Sequence, residues 1–165
     1  MQICQTTKWR INALEQSSDA IIRKATRDDI EQILQIEYAS FDLFECFSHG
    51  LFCYYLRTFE DGFFVALDAS GSIVGYTILA YNKRCGYVLS IAVHPKNRHQ
   101  GYAELLLKAL EFKCHENHLS KLRLDVRVDN KNAIELYKKL GFVAVRTKKD
   151  FYGDGIDALM MEKAV

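Results

Sequence analysis

The densest run of chemistry-bearing residues is Ile91-Ala92-Val93-His94-Pro95-Lys96-Asn97-Arg98-His99-Gln100-Gly101-Tyr102-Ala103. A strand pattern stops at Pro95, a basic turn follows, and Gly101 and Ala103 open a long helical pattern. Free N–H groups at a helix N-terminus point outward, and the helix dipole adds partial positive charge there. Small residues at 101 and 103 let a diphosphate come close to the backbone, and Arg98 can add a charge-assisted hydrogen bond. An ordinary strand-to-helix turn carrying a solvated basic cluster would use similar residues. The chain has no Gly-x-x-x-x-Gly-Lys, which excludes the nucleoside-triphosphate loop, and it lacks the paired glycines of a dinucleotide fingerprint.

The elements that must hold this turn follow from the hydrophobic periods. Ala20–Ala25 reads as a short strand, and Thr26 can cap a helix over Asp28–Ala39 with Ile30, Ile33, Leu34 and Ile36 at helical spacing. Residues 41–59 are crowded with aromatics and read as a loop and then a helix near 48–58; the rings serve either the core or a cleft wall. Gly62–Leu67, Ser72–Tyr81 and Gly86–Val93 are strands joined by short turns, hence an antiparallel meander. Tyr102–Glu116 is a helix with Leu105, Leu106, Ala109, Leu110 and Phe112 expected inward. Leu122, Leu124, Val126 and Val128 alternate with Arg123, Asp125 and Arg127 as a strand. Asn130–Leu140 is a helix stopped by Gly141, and strands follow at Phe142–Lys149 and Ile156–Lys163. The order β-α-α-β-β-β-α-β-α-β-β places the chain in the α+β class.

Length and charge restrict the function. The 165 residues amount to one domain, read as an extension at 1–19 carrying Trp9 and a domain at 20–165. Lys plus Arg number 22 against 21 for Asp plus Glu. Duplex binding calls for a visible cationic excess, so no nucleic-acid partner is expected. No apolar run approaches the ~20 residues of a membrane helix, and the start Met1–Lys8 has no apolar h-region. Five cysteines without a CxxC pair read as reduced thiols, which implies a cytoplasmic location. His115 and His118 have no partners that would complete a metal site, so none is expected.

The segment Arg98-x-x-Gly101-x-Ala103, after Ile-Ala-Val-His-Pro and before Leu105-Leu106, resembles the pyrophosphate arm of the GNAT superfamily of N-acetyltransferases. Downstream, Leu124-Asp125-Val126-Arg127-x-x-Asn130-x-x-Ala133-Ile134-x-Leu136-Tyr137-x-x-Leu140-Gly141-Phe142 is similar to that superfamily's second coenzyme A segment. The ending Phe151-Tyr152-Gly153-Asp154-Gly155-Ile156-Asp157-Ala158 looks like that of the protein N-terminal acetyltransferases, a group that includes the ribosomal-protein alanine acetyltransferase. The resemblance covers about residues 20–165. It implies a mixed, mostly antiparallel seven-stranded sheet flanked by about four helices.

It also implies roles. The backbone of Ile91, Ala92 and Val93 would hold the thioester and pantetheine arm of acetyl-CoA where an antiparallel ladder opens, with the Val93 N–H as oxyanion donor. Arg98, His99, Gln100, Gly101, Tyr102, Ala103 and Glu104 would bind the pyrophosphate. Asn130 would bond the pantetheine, with Ala133 leaving room; a plain helix cap is the other reading of Asn130. Tyr137 would be the general acid, a phenol protonated at neutral pH. Asp125, twelve positions earlier, would be the general base, unless it is a structural ion-pair partner of Arg123 and Arg127. The acceptor would be a protein or peptide N-terminus, gripped by Tyr152, Phe41 and Phe44. An α-amine, with a reference pKa near ~8, is far more often neutral than lysine at ~10.4. Phe151 replaces a tyrosine common in the group. A small amine as acceptor and a coenzyme A-binding module without catalysis are the alternatives. A monomer or weak dimer is expected.

Overall fold

Runs of β-branched and aromatic residues separated by short polar turns build most of the architecture. The structure, a computed structural model, describes residues 20–153 and 155–165. The extension at 1–19 and its Trp9 lie outside the described residues. Seven strands, β1 (Ile21–Lys24), β2 (Phe63–Leu67), β3 (Ile73–Tyr81), β4 (Cys85–Val93), β5 (Lys121–Arg127), β6 (Val143–Lys148) and β7 (Ala158–Ala164), form one sheet. Their order is β1-β2-β3-β4-β5-β7-β6. Among the described residues, four α-helices accompany them: α1 (Ile30–Ser40), α2 (His49–Thr58), α3 (Tyr102–Glu116) and α4 (Lys131–Lys139). The α+β class and the expected element order are therefore both present.

The pairs β1–β2, β2–β3, β5–β7 and β6–β7 are antiparallel, whereas β4 runs parallel to β5. A parallel pair needs a crossover, and α3 supplies it. The ladder expected to open at β4 is this parallel one rather than an antiparallel one. Its register covers Cys85↔Lys121 to Tyr87↔Arg123.

Two compact units divide the chain. One takes it to Ile78 and again from Ser90 to Ala109; the other holds Leu79–Leu89 and Leu110–Val165. The first unit's core gathers Ile30, Ile33, Leu34, Ile36, Phe52, Phe63, Val65, Tyr76 and Ala92. Phe41, Phe47, Tyr55 and Phe59 pack against it, so most of the aromatic stretch is core, while Phe44 is fully exposed. The second unit buries Leu110, Cys114, Leu122, Leu124, Val126, Tyr137, Phe142 and Met161.

Two local expectations are corrected. The helix after Thr26 begins as a 3-10 turn, Arg27–Asp29, before α1. The Asp29 carboxylate accepts from the Thr26 N–H (2.7 Å) and hydroxyl (2.9 Å) and from both Arg23 nitrogens, which pins that tighter first turn. On α3 the buried residues are Tyr102, Leu106, Leu107, Leu110 and Cys114, and Phe112 is exposed. At about 100° per residue, Phe112 lies roughly 200° around from Leu110, so it cannot share that face.

Candidate active site

In the first unit, the end of β4 and the turn after it are held by their own polar atoms. The Val93 carbonyl accepts from Arg98 Nε at 3.3 Å and lies 3.5 Å from Ser40 Oγ. The His94 N–H donates to the Val74 carbonyl at 2.8 Å, and the His94 imidazole accepts from the Lys96 N–H at 3.3 Å. Gly75 lets β3 come close to this strand. A Cβ there would sit 2.9 Å from the Ala92 carbonyl oxygen.

The backbone adopts positive φ at His99 (63°) and Gly101 (84°), and α3 starts at Tyr102. The free N–H groups at the N-terminus of α3, beside this turn, suit an anion. His99 pays a steric cost that only glycine avoids, the kind of strain found at ligand sites. Among the residues expected here, Arg98, His99, Gln100 and Gly101 are exposed, while the Tyr102 ring is buried and leaves only its backbone available. Glu104 pairs with Lys108 at 2.7 Å.

The second unit carries the titratable residues. Asp125 stands on the polar face of β5, whose alternate residues Leu122, Leu124 and Val126 are buried. The ion pair with Arg123 and Arg127, the alternative reading of Asp125, is not formed. Arg123 bonds Glu162 at 3.0 Å, and Arg127 bonds Asp129 at 2.8 Å. Asp125 Oδ2 instead accepts from Lys148 Nζ at 2.6 Å, and the same ammonium lies 4.6 Å from the Phe151 ring centroid. Asp125 Oδ1 is buried without a hydrogen-bond partner. Sequence spacing gave no access to Lys148. Its approach depends on β7 pairing with both β5 and β6, which sets Ala158 opposite Arg127 on one side and opposite Lys148 on the other.

Tyr152 donates its hydroxyl to the Asp125 carbonyl at 3.2 Å, tying the closing hairpin to β5. Tyr137, on α4, is buried against Phe142 with ring centroids 5.9 Å apart. Burial, and then the nearby Tyr152 phenol, push the Tyr137 hydroxyl up to about 12, so it is protonated at neutral pH. Asn130 is the N-cap of α4: its Oδ1 accepts from the Ala133 N–H at 3.2 Å. That satisfies the capping reading and leaves the amide NH₂ for another partner. Phe41, Phe44 and the turn belong to the first unit; Tyr137, Asp125, Asn130, Ala133 and Tyr152 belong to the second.

Residues 27–142 match the Acetyltransferase (GNAT) family. The chain belongs to that family. It is 34% identical over 162 residues to an N-alpha-acetyltransferase of Saccharolobus solfataricus, covering 90% of this chain and 95% of the relative. A putative [ribosomal protein bS18]-alanine N-acetyltransferase of Bacillus subtilis is 29% identical over 86% of the chain and 93% of its own length. Among solved structures, Ard1 from Thermoplasma volcanium superposes with a TM-score of 0.82 at 31% identity, covering 88% of this chain and 97% of its own. This GNAT protein is an acyltransferase that moves an acetyl group onto an amine. Among the described residues, no helix is long and apolar enough to cross a membrane.

Proposed function

We propose that this acetyltransferase takes acetyl-CoA as donor and the α-amino group of a protein or peptide N-terminus as acceptor. The observation that carries the reading is the Asp125 carboxylate, with one oxygen on Lys148 and the other buried and bare. An acceptor atom left without a protein donor costs about 1–3 kcal/mol unless a water or a ligand satisfies it. An amine N–H is a suitable donor. Asp125 would orient the acceptor nitrogen and take its proton, and Tyr137, protonated at neutral pH, would return one to the departing thiolate. Acetyl-CoA supplies the activated thioester. The Ile91–Val93 backbone would bind its pantetheine arm and the Val93 N–H its carbonyl oxygen. Arg98 to Glu104 would take the pyrophosphate, chiefly through backbone N–H groups at the N-terminus of α3. Asn130 would offer its amide to the pantetheine beside Ala133, and Phe41, Phe44 and Tyr152 would line the acceptor's path.

The α-amine is favoured over lysine because the site offers the acceptor a single carboxylate, Asp125, which is also paired with Lys148. An amine with a lower pKa asks less of it. The names of the relatives in Saccharolobus and Bacillus support the same choice. We read the acceptor side as resident in the domain at 20–165.

The test is mass spectrometry after incubation with acetyl-CoA and a mixed pool. The pool holds peptides with free N-termini, N-blocked lysine peptides and free polyamines. Products confined to peptide α-amines, and lost in Tyr137→Phe, are expected. Products confined to polyamines would move the protein to small-amine acetylation.

A further inference from the structure

Among the described residues, Glu37 is the most deeply buried carboxylate of the first unit, 1% exposed on the inner face of α1. A carboxylate in such a place normally holds a cation. The partners of Glu37 are neutral. Its Oε1 accepts from the Phe47 N–H at 2.8 Å, and its Oε2 accepts a short hydrogen bond from the Tyr76 hydroxyl. Tyr76, itself fully buried, meets Ser90 Oγ at 2.9 Å. Because the Tyr76 proton is committed to Glu37, the Ser90 hydroxyl donates to Tyr76. Ser90 is held a second time, since Thr77 Oγ1 donates to its carbonyl at 3.0 Å.

The chain of bonds therefore joins two functional segments. Phe47 closes the loop 41–47 that carries Phe41 and Phe44. Ser90 leads directly into Ile91–Val93. A buried network of this kind is costly to keep partly satisfied and rigid when complete. Apolar residues of similar size at 37 and 76 would fill the same space without that cost. Neither α1 nor β3 needs these bonds for its own ladder.

We propose that Glu37 is a positioning residue for acetyl transfer, setting the acceptor loop through Phe47 and the donor strand through Tyr76 and Ser90. This rests on the function proposed above, in which loop 41–47 serves the acceptor and Ile91–Val93 serves acetyl-CoA. It assigns a role to a residue that makes no contact with either substrate.

The test uses the full chain and reads acetyl-CoA affinity by calorimetry without acceptor, then steady-state kinetics, with thermal unfolding as a check on folding. Tyr76→Phe and Ser90→Ala should each weaken acetyl-CoA binding about five- to tenfold. The double variant should be no weaker than the worse single, because both cut one chain. Glu37→Ala should raise the acceptor KM about tenfold or more with kcat within about threefold of the parent. Glu37→Gln still accepts from Phe47 and can donate to the Tyr76 oxygen, so it should restore the acceptor KM to within about threefold of the parent value. Ser90→Ala, a half-buried truncation, keeps the test open if a core variant does not fold. Unchanged affinity in folded Tyr76→Phe and Ser90→Ala overturns the proposal, as do additive losses, or a Glu37→Gln no better than Glu37→Ala. Acetyl-CoA binding that responds as expected in a protein that acetylates no amine would refute the acceptor assignment and leave the donor-strand half standing. A parent chain that does not bind acetyl-CoA overturns both.

Discussion

At the scale of single residues, the proposed chemistry depends on how Asp125 is partnered. The neighbours that spacing offered, Arg123 and Arg127, are engaged by Glu162 and Asp129, and the cation that arrives is Lys148. Periodicity correctly placed Asp125 on the polar face, because alternation is a local property of a strand. The cation pairing with it is set by strand register across β7, which no local pattern encodes. Asp125→Asn should cut turnover on peptide α-amines at neutral pH and regain part of it at alkaline pH, where more of the amine is already neutral. A loss of equal size from pH 6 to pH 10 would remove Asp125 as the base. The contact of Arg98 is local instead, since its neighbour in sequence, Val93, is its neighbour in space. Its Nε donates to the Val93 carbonyl, which leaves its outer N–H groups for the pyrophosphate proposed above. Arg98→Glu should weaken acetyl-CoA binding by about 1.5–3 kcal/mol in calorimetry, the scale of a charged hydrogen bond lost. An unchanged dissociation constant would place the pyrophosphate elsewhere.

At the scale of elements, sequence reasoning succeeded where one period ran unbroken. The α4 cap at Asn130 and stop at Gly141 (φ 88°) follow local rules. So does the alternation of β5. It failed on α3, where a continuous apolar run concealed which stripe faces inward, and Phe112 was placed in the core while Leu107 and Cys114 occupy it. It was also silent on Gly75, which reads as an ordinary strand residue until the packing is known. An added Cβ there meets a backbone oxygen at 2.9 Å, with Leu106 Cδ1 and Val93 Cγ2 each at 3.2 Å. A carbonyl in a sheet cannot step aside as a side-chain tip can, so β3 would have to shift away from Ala92. Gly75→Ala should therefore cost about 1–3 kcal/mol in denaturant unfolding, as overpacking does. It should also weaken acetyl-CoA binding, because the contact it opens is the one that supports the Ile91–Val93 end of β4. Full stability with full affinity would mean the close approach positions nothing.

At the scale of the whole molecule, two buried carboxylates give stability opposite dependences on pH. Asp29 is raised by burial but lowered further by the Arg23 and Thr26 hydrogen bonds, and stands below its ordinary 3.8. Its contribution is complete above that value and is lost as pH falls through the lower folded one. Glu37 is raised above its ordinary 4.5, chiefly by burial, which the bonds from Phe47 and Tyr76 only partly offset. Its contribution is complete below 4.5 and is lost as pH rises through the folded value, because the ionised form is the one that burial disfavours. The position of Glu37 was readable in principle. It stands three and four residues after Leu34 and Ile33, on the stripe that α1 turns inward, and an acidic residue on such a stripe is the signal. Its neutral partners were not readable, since Phe47 and Tyr76 come from a loop and a strand that only the fold brings together. Thermal midpoints measured from pH 3 to pH 8 should separate the two groups. Glu37→Gln should gain steadily on the parent as pH rises past about 4.5, whereas the deficit of Asp29→Asn should shrink as pH falls below about 4. A Glu37→Gln difference that stays constant across the range would mean that Glu37 titrates as an exposed glutamate does. The Tyr76–Ser90 chain would then be anchored on a carboxylate that burial does not perturb.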